Sequence, residues 1–509
     1  MAAVGEYILA IDQGTTGTTV LLVDAAARLR VRGRGYREIP QIYPRPGEVE
    51  HDPEQIWSSV LGAMEAALGD AAARLTADGA AVDAAGVAAR IASIGITNQR
   101  ETVLLWERST GRCVGNAIVW QDRRTSAACA AMKQAGLEPL IRDRTGLVLD
   151  PYFSGTKVRW MLDQSPGLAA AAARGEIAFG TVDSFLIWRL SGGAAHVTDS
   201  SNASRTLLFD LAQRAFSDEL LGLFGVPRAL LPAVVGSAEV VATTSKVPGL
   251  PDGVPIAGIA GDQQAALFGQ DCLQPGDVKC TFGTGAFLLM NVGEAPVHSP
   301  SGLLVTVAWT IDGVTSYALE GSAFIAGALV QWLRDGLQII ARTADVEALA
   351  ASVPDSAGVV IVPALAGLGA PHWRPEARGI ITGITRGTTR AHLARAALEA
   401  IALQNVELVA AMRTDAARPI NGMRVDGGAA ANDLLMQLQA DLLGVPVVRP
   451  AMLESTALGA AKLAARGIRL ALGKTAEQAG EPVTVFNPTM PDDKRRTLLD
   501  RWNLAVAKA

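Results

Sequence analysis

The chain has 509 residues, of which 49% are hydrophobic and 19% charged, and its formal net charge is −5. This composition excludes an intrinsically disordered chain and argues against a nucleic-acid binder, which normally carries a basic face. The length predicts more than one domain. No run reaches the roughly 18 apolar residues that a membrane span needs.

The N-terminus lacks a cationic segment, and Glu6 and Asp12 interrupt its short apolar stretch, which is not the pattern of a signal peptide. The four cysteines, Cys113, Cys129, Cys272 and Cys280, form no C-x-x-C pair and have no histidine cluster beside them. Zinc and dithiol redox chemistry are therefore poor readings. Reduced thiols in a cytoplasmic protein are the expectation.

The chain opens with YILAIDQGTTGTTVLLVD over residues 7–24. Two β-rich apolar runs flank a Gly/Thr cluster, which predicts a strand, a tight turn and a returning strand. DVKCTFGTGAFLLMNV at 277–292 repeats the pattern. Two such hairpins, about half the chain apart, predict two related halves, each offering a phosphate-facing turn. VPGLPDGVP at 247–255 holds three prolines and two glycines. It breaks any regular element and places the division near residue 256, giving halves of 1–256 and 257–509. Just beyond, VPIAGIAG predicts a buried strand and Asp262 opens a helix.

Further on, residues 322–341 predict a helix with Ser322 as N-cap. Residues 390–412 predict another, capped by Thr389, and 432–443 a third between Asn432 and Gly444. VVIVPAL and MRVDGG are expected strands. Their alternation with helices is the pattern of α/β packing. A terminal helix is expected beyond VFNP.

Four constellations carry chemistry. In DQGTT, residues 12–16, a turn rich in Gly and Thr lets backbone N–H groups approach an anion, and Asp12 becomes useful where Mg²⁺ lies beside phosphate. The plainer reading is a hairpin whose Asp caps the turn. In GDQQAA, Asp262 is either a helix N-cap or a general base beside a substrate hydroxyl, which phosphoryl transfer requires. In FGTGAF, Thr284 and Gly285 are suited to hold a γ-phosphate from the opposite side. In VDGGAAAND, Gly428 would let the backbone lie against a flat adenosine, with Asn432 as cap or ligand. Each motif alone is weak. Their order along one chain is strong.

That order resembles the ATPase fold shared by actin, hexokinase and sugar kinases, and within it the FGGY family of carbohydrate kinases. The stretches GITNQRETVLLWE, NAIVWQDRRT, TGLVLDPYFSGTKVRW, HVTDSSNASRTLLFD, IAGDQQAALFGQ and GLGAPHWRPEARG carry the resemblance, which runs to about residue 460. NQRET and DPYFSGTK point to the branch that phosphorylates glycerol. The resemblance implies two ribonuclease H-like domains flanking a deep cleft, with ATP and Mg²⁺ as cofactors and sn-glycerol 3-phosphate as product. It also implies a homo-dimer or homo-tetramer.

Carried over by the same resemblance, Arg100, Glu101, Tyr152, Asp262 and Gln263 bind the polyol, and Trp120 and Phe287 flank its carbon chain. Donors and acceptors of these types suit three hydroxyls, and the aromatic walls cover the CH faces. Without the resemblance, Arg100–Glu101 reads as an exposed ion pair. Thr15, Thr16, Gly17, Thr284, Gly327, Gln331, Gly428 and Asn432 would bind the nucleotide, with Asp12 on the metal side and Asp262 as base. One departure stands out: Thr19 occupies a position where most of these relatives carry an arginine that reaches the phosphates. The competing expectations are a kinase for another polyol or sugar, and a silent polyol-binding relative.

Overall fold

Two mixed sheets grow from the two predicted hairpins. The computed structural model describes residues 5–25, 29–365, 367–374, 376–452, 454–470 and 483–509. The first sheet comprises β1 (Tyr7–Gln13), β2 (Gly17–Asp24), β3 (Val31–Glu38), β4 (Ile91–Asn98), β5 (Ala242–Thr243) and β6 (Pro255–Gly261). Its order is β5-β6-β4-β1-β2-β3. The second comprises β7 (Val278–Phe282), β8 (Ala286–Gly293), β9 (Leu304–Ile311), β10 (Val314–Ala323), β11 (Met423–Asp426), β12 (Val447–Pro450) and β13 (Val483–Phe486), in the order β9-β10-β8-β7-β11-β12-β13.

In both sheets the hairpin strands and their next neighbour run antiparallel, and two further strands add in parallel on the other side: β4 beside β1 and β6 beside β4, β11 beside β7 and β12 beside β11. The parallel strands of the first sheet, IASIGITN and PIAGIAG, are near-continuous buried apolar runs, as strands inside an α/β sheet are. By this pairing residue 256 lies inside a strand of the first sheet, so that sheet continues through Gly261 before the chain passes to the second.

The main helices are α1 (Pro53–Ala77), α2 (Ser154–Asp163), α3 (Asp262–Gly269), α4 (Gly327–Asp335), α5 (Arg390–Asp415), α6 (Asp433–Leu443), α7 (Ser455–Gly467) and α8 (Asp492–Val506). Helix α1 starts where Asp52 accepts the Glu54 N–H at 2.9 Å and Pro53 fills the first turn. Its Ile56, Val60, Ala63, Ala67 and Ala71 recur at helical spacing and are buried against β2 and β3. Glycine in β3 permits this close approach. A Cβ on Gly35 would stand 2.0 Å from the Ala63 carbonyl oxygen.

Although it comes late in the chain, α7 packs on β1, β4 and β6 of the first sheet and crosses α3. At that crossing a Cβ on Gly459 would lie 1.8 Å from the Ala265 carbonyl oxygen. The two sheets also meet through the segment that precedes β5. The Val305 N–H donates to the Gly146 carbonyl at 2.9 Å, and the Tyr317 hydroxyl donates to the Leu211 carbonyl at 3.0 Å.

Thr389 forms a capping box with His392 at the start of α5, and Asn432 and left-handed Gly444 bracket α6, as expected. The terminal helix is α8. The helix expected over 322–341 is shorter than its pattern suggested. Ser322 pairs with Phe287 inside β10, and the helix spans only Gly327–Asp335. Cross-strand pairing with β8 holds residues 314–323 extended, so the chain turns into a helix only after passing the second Gly/Thr loop. Among the described residues, no helix is long and apolar enough to cross a membrane.

Candidate active site

The parallel register aligns the strand ends that carry the chemistry. Asp12 and Gln13 of β1 stand beside Thr97 and Asn98 of β4, and Gly261 of β6 stands beside Asn98. The turn 14–16, the pair Arg100–Glu101 and Asp262 therefore all leave the same edge of the first sheet. Ligands of open α/β sheets bind at such carboxyl ends. On the second sheet Thr281 of β7 stands beside Asp426 of β11, ahead of the loop 283–285 and the Gly427–Gly428 pair.

Arg100 and Glu101 are 3% and 1% exposed, which rules out an ordinary surface ion pair. Glu101 takes a left-handed backbone conformation, φ 60°, which is uncommon for a residue with a Cβ. Its side chain accepts from Arg205 Nε at 2.6 Å and lies 3.9 Å from Arg100 Nε. Arg100 uses the same Nε toward Asp262 Oδ1 at 3.1 Å, and its two terminal nitrogens grip Glu320 at 2.5 and 3.0 Å. Its Nη2 also reaches the Tyr152 hydroxyl at 3.5 Å, and Nη1 the Gln264 amide oxygen at 3.3 Å. Burial raises the Glu320 carboxyl, but Arg100 and Arg205 outweigh it and hold it down at about 2.

Asp262 is the first residue of α3, and Gly261 occupies the N-cap position without a side-chain bond. The capping reading is not realised. Instead Asp262 Oδ1 accepts the N–H of Gln263 at 2.7 Å and faces Arg100, with 30% of its side chain exposed. Gln263 is buried, and its amide oxygen accepts from Lys279 Nζ, which also donates to Thr281 at 2.9 Å. Lys279 is thus a buried cation whose ammonium the surrounding protein disfavours. Phe287 pairs with Thr281 across β7 and β8, so it shares the sheet face that carries Lys279.

The Tyr152 and Trp120 rings meet edge-on, with centroids 5.5 Å apart. Trp120 Nε1 donates to Thr15 Oγ1 at 2.9 Å, tying the aromatic wall to the first turn. Thr16 is exposed, and its carbonyl accepts the Ile39 N–H at 3.0 Å. Gly17 is a glycine for a local reason: a Cβ there would stand 2.5 Å from the Tyr36 hydroxyl. Asp12 is half-buried. Burial pushes its carboxyl up to about 7, and the charges of Asp262 and Asp426 add to the shift. Thr19 stands directly opposite Asp12 on β2 and offers it no charge.

A second group assembles on the other sheet. The loop carbonyls of Gly283 and Thr284 accept the N–H groups of Gly327 and Ala328, both at 3.0 Å, so Thr284 and the first turn of α4 form one unit. Gln331 lies exposed one turn further along α4. Gly427, φ 85°, presses on the Phe282 carbonyl, whereas a Cβ on Gly428 would meet nothing within 4 Å. The backbone at Gly428 is thus bare toward open space. Asn432 is a cap: its Oδ1 accepts the Leu435 N–H at 2.8 Å. Among the described residues, no hydrogen bond or ion pair joins this group directly to Asp262.

Sequence reasoning missed Arg205, Lys279 and Glu320. Charged residues within apolar surroundings, as in VKCTF and ALEGSAF, are the only signal that marked the latter two. No group of three or more His, Cys, Asp or Glu residues among those described is arranged to enclose a metal ion. Magnesium rarely needs one, because it usually keeps its waters and takes one or two carboxylates plus substrate phosphates. Half-buried Asp12, raised by two like charges, fits that role.

Comparison with known proteins is consistent with this arrangement. The model of the FGGY family of carbohydrate kinases, N-terminal domain, matches residues 7–269, and that of the C-terminal domain matches 278–468. A glycerol kinase of Myxococcus xanthus is 55% identical over 99% of both chains, and one of Aromatoleum aromaticum 56% identical over 99% of both. The crystal structure of Plasmodium falciparum glycerol kinase with ADP superposes with a TM-score of 0.90 at 32% identity, covering 99% of this chain and 98% of that one.

Proposed function

Since the chain belongs to the FGGY family of carbohydrate kinases, we propose that it transfers the γ-phosphoryl group of ATP to a terminal hydroxyl of glycerol, with Asp262 as general base. One observation supports this most directly. Asp262 is the part-exposed carboxylate on an otherwise buried Arg100–Glu101–Glu320 cluster, held at a defined edge by Arg100 and its own helix. A carboxylate so placed can take a proton without moving.

Glycerol binds against Arg100, Glu101, Tyr152, Asp262 and Gln263, between the rings of Trp120 and Phe287. Gln263 gives its amide oxygen to Lys279, which leaves the amide N–H groups to donate to a hydroxyl. Thr15 accepts from Trp120 and keeps its own O–H for a phosphate oxygen. The turn at Thr15, Thr16 and Gly17 and the loop at Thr284 face the triphosphate. Gly327, Gln331, Gly428 and Asn432 lie along the adenosine. Asp12 would hold Mg²⁺, which supplies charge neutralisation at the phosphates.

The attacking hydroxyl gives its proton to Asp262 as its oxygen bonds to the γ-phosphorus. The bond from that phosphorus to the β,γ-bridging oxygen breaks, and ADP leaves with the electron pair. The product is sn-glycerol 3-phosphate. The two lobes built on the two sheets would close over the substrates to keep water out. Four free cysteines, three of them buried, suit a cytoplasmic setting. Assembly as a homo-dimer or homo-tetramer is proposed from the resemblance alone.

A coupled assay of ADP release, with and without glycerol, tests the reading. Release should depend on glycerol, and Asp262→Asn should retain the fold and glycerol binding while losing about 10²–10⁴ in kcat. Near-normal turnover in that variant would eliminate Asp262 as the base.

A further inference from the structure

Four buried charges, two of them the polyol residues Arg100 and Glu101, join into one cluster that links the two sheets. Glu320, 1% exposed, belongs to β10 of the second sheet, whereas Arg100 and Glu101 follow β4 of the first. Arg205, 0% exposed, comes from the segment between them in sequence. Glu320 Oε2 accepts from Arg100 Nη1 at 2.5 Å, and Oε1 accepts from Arg100 Nη2 and Arg205 Nη2, each at 3.0 Å. Arg205 Nε joins Glu101 to the cluster at 2.6 Å. Two carboxylates thereby match two guanidinia, and Glu320 touches both of them.

We propose that Glu320 is a positioning residue that sets polyol specificity from the opposite sheet. The argument is geometric and rests on the glycerol reading above. A guanidinium is planar, so gripping both terminal nitrogens fixes its plane as well as its place. With that plane fixed, Arg100 Nε points at Asp262, and Nη2 stays within reach of the Tyr152 hydroxyl. Glu320 also anchors Arg205, which in turn holds the carboxylate of left-handed Glu101. Arg205 Nη1 is buried without any acceptor, so the two carboxylates supply this guanidinium's hydrogen bonds, while its Cζ also lies over the Tyr152 and Phe153 rings, 5.7 and 5.2 Å from their centroids. Without Glu320, Arg100 and Glu101 lose their fixed orientation, whereas Gln263 and the nucleotide residues keep their own supports and Asp262 keeps the bond from the Gln263 N–H.

The test compares glycerol with 1,2-propanediol, which lacks one hydroxyl, in the unsubstituted enzyme, Glu320→Gln and Glu320→Asp. A site that pairs every hydroxyl rejects the deoxy analogue because its own polar groups are left unpaired. With Arg100 and Glu101 loosened, that discrimination should collapse. Both variants should raise the glycerol KM by at least about tenfold, the equivalent of about 1.4 kcal/mol. Both should lower the glycerol-to-propanediol ratio of kcat/KM by a similar factor, with the ATP KM within about twofold. Glu320→Asp keeps the charge and withdraws the carboxylate by one methylene, so it carries the test if Glu320→Gln does not fold. A merely structural Glu320 would lower the melting temperature and reduce both substrates in proportion, and an unchanged ratio in folded variants overturns the proposal. Absence of glycerol-dependent turnover in the unsubstituted enzyme is a different result. It would sink the glycerol reading, and the ratio would then be taken between the enzyme's best polyol and the deoxy form of that polyol.

Discussion

Replacing Asp12 by Asn should make this protein more stable and less active, and the gain should grow with pH in a calculable way. The Asp12 carboxyl is raised from 3.8 to about 7 in the folded state, by burial first and then by Asp262 and Asp426. A carboxyl whose folded pKa lies above its unfolded value favours the fold when protonated. That contribution is fully present below about pH 4 and is lost as pH rises through about 7. A shift of about 3 units corresponds to about 4 kcal/mol, at about 1.4 kcal/mol per pH unit between the two values. Asparagine cannot ionise, so the variant escapes the loss.

Other buried groups titrate nearby, such as Asp183, raised to about 6 by burial. Asp183 is shifted by burial and Asp199 rather than by Asp12, so its contribution is common to both proteins and cancels in the difference. The assay is chemical denaturation of both proteins at pH 5.5, 6.5, 7.5 and 8.5 without divalent cations. The stability of Asp12→Asn over the parent should rise by about 2 kcal/mol between pH 5.5 and 7.5 and then level off. Adding Mg²⁺ should narrow the gap by stabilising the parent alone, because a ligand that binds only the folded form adds stability by mass action. A variant no more stable than the parent at pH 8.5, or a gap that does not grow with pH, would refute the reasoning.

Two smaller perturbations probe the frame and the aromatic wall. Gly459→Ala puts a methyl group 1.8 Å from the Ala265 carbonyl oxygen, so α7 and α3 must separate. Overpacking of this kind costs about 1–3 kcal/mol, read as a lowered melting temperature, and kcat should fall with it because Asp262 rides on α3. Trp120→Phe keeps an aromatic ring, though a smaller one, and removes the Nε1–H bond to Thr15 at 2.9 Å. Loss of a net contribution of about 1 kcal/mol should reduce kcat/KM about fivefold with the melting temperature little changed, and an unaltered kcat/KM would show that this bond does not position the turn.

Local chemistry made much of the fold legible. The two Gly/Thr hairpins, the caps at Thr389, Asn432 and Gly444, and the helix opening at Asp262 are short-range patterns, and the structure has them where composition and spacing placed them. Residues 322–341 were misleading because alternation in VTSYALEGSA and helical spacing in the following stretch overlap. Only pairing with β8, a contact between segments distant in sequence, decides the boundary. Gly17, expected to contact phosphate, has a second reason to be glycine that no short-range pattern announces: a Cβ there would meet the Tyr36 hydroxyl of the neighbouring strand. The charged cluster was the least legible feature. Arg205 and Glu320 lie 115 residues apart, and no sequence spacing announces that both will be buried together on Arg100.

With glycerol and the nucleotide placed as proposed, the distribution of charge gives a physical reason for their separate positions. Around the polyol residues, two guanidinia and two carboxylates offset one another, and a neutral triol can enter without leaving a buried charge unmatched. Around Asp12 the balance fails. Asp262 and Asp426 both bear on Asp12, Arg100 is already committed to Asp262, Lys279 bears on Asp426 and Asp262, and Thr19 adds no charge. A triphosphate alone would meet repulsion there, whereas a triphosphate carrying a divalent cation brings the missing positive charge with it. With the nucleotide placed as proposed, the acidic side of the site should favour the metal complex over free ATP. Free ATP in excess of Mg²⁺ should act as a weak substrate, and raising Mg²⁺ at fixed ATP should lower the apparent KM for nucleotide while leaving that for glycerol unmoved.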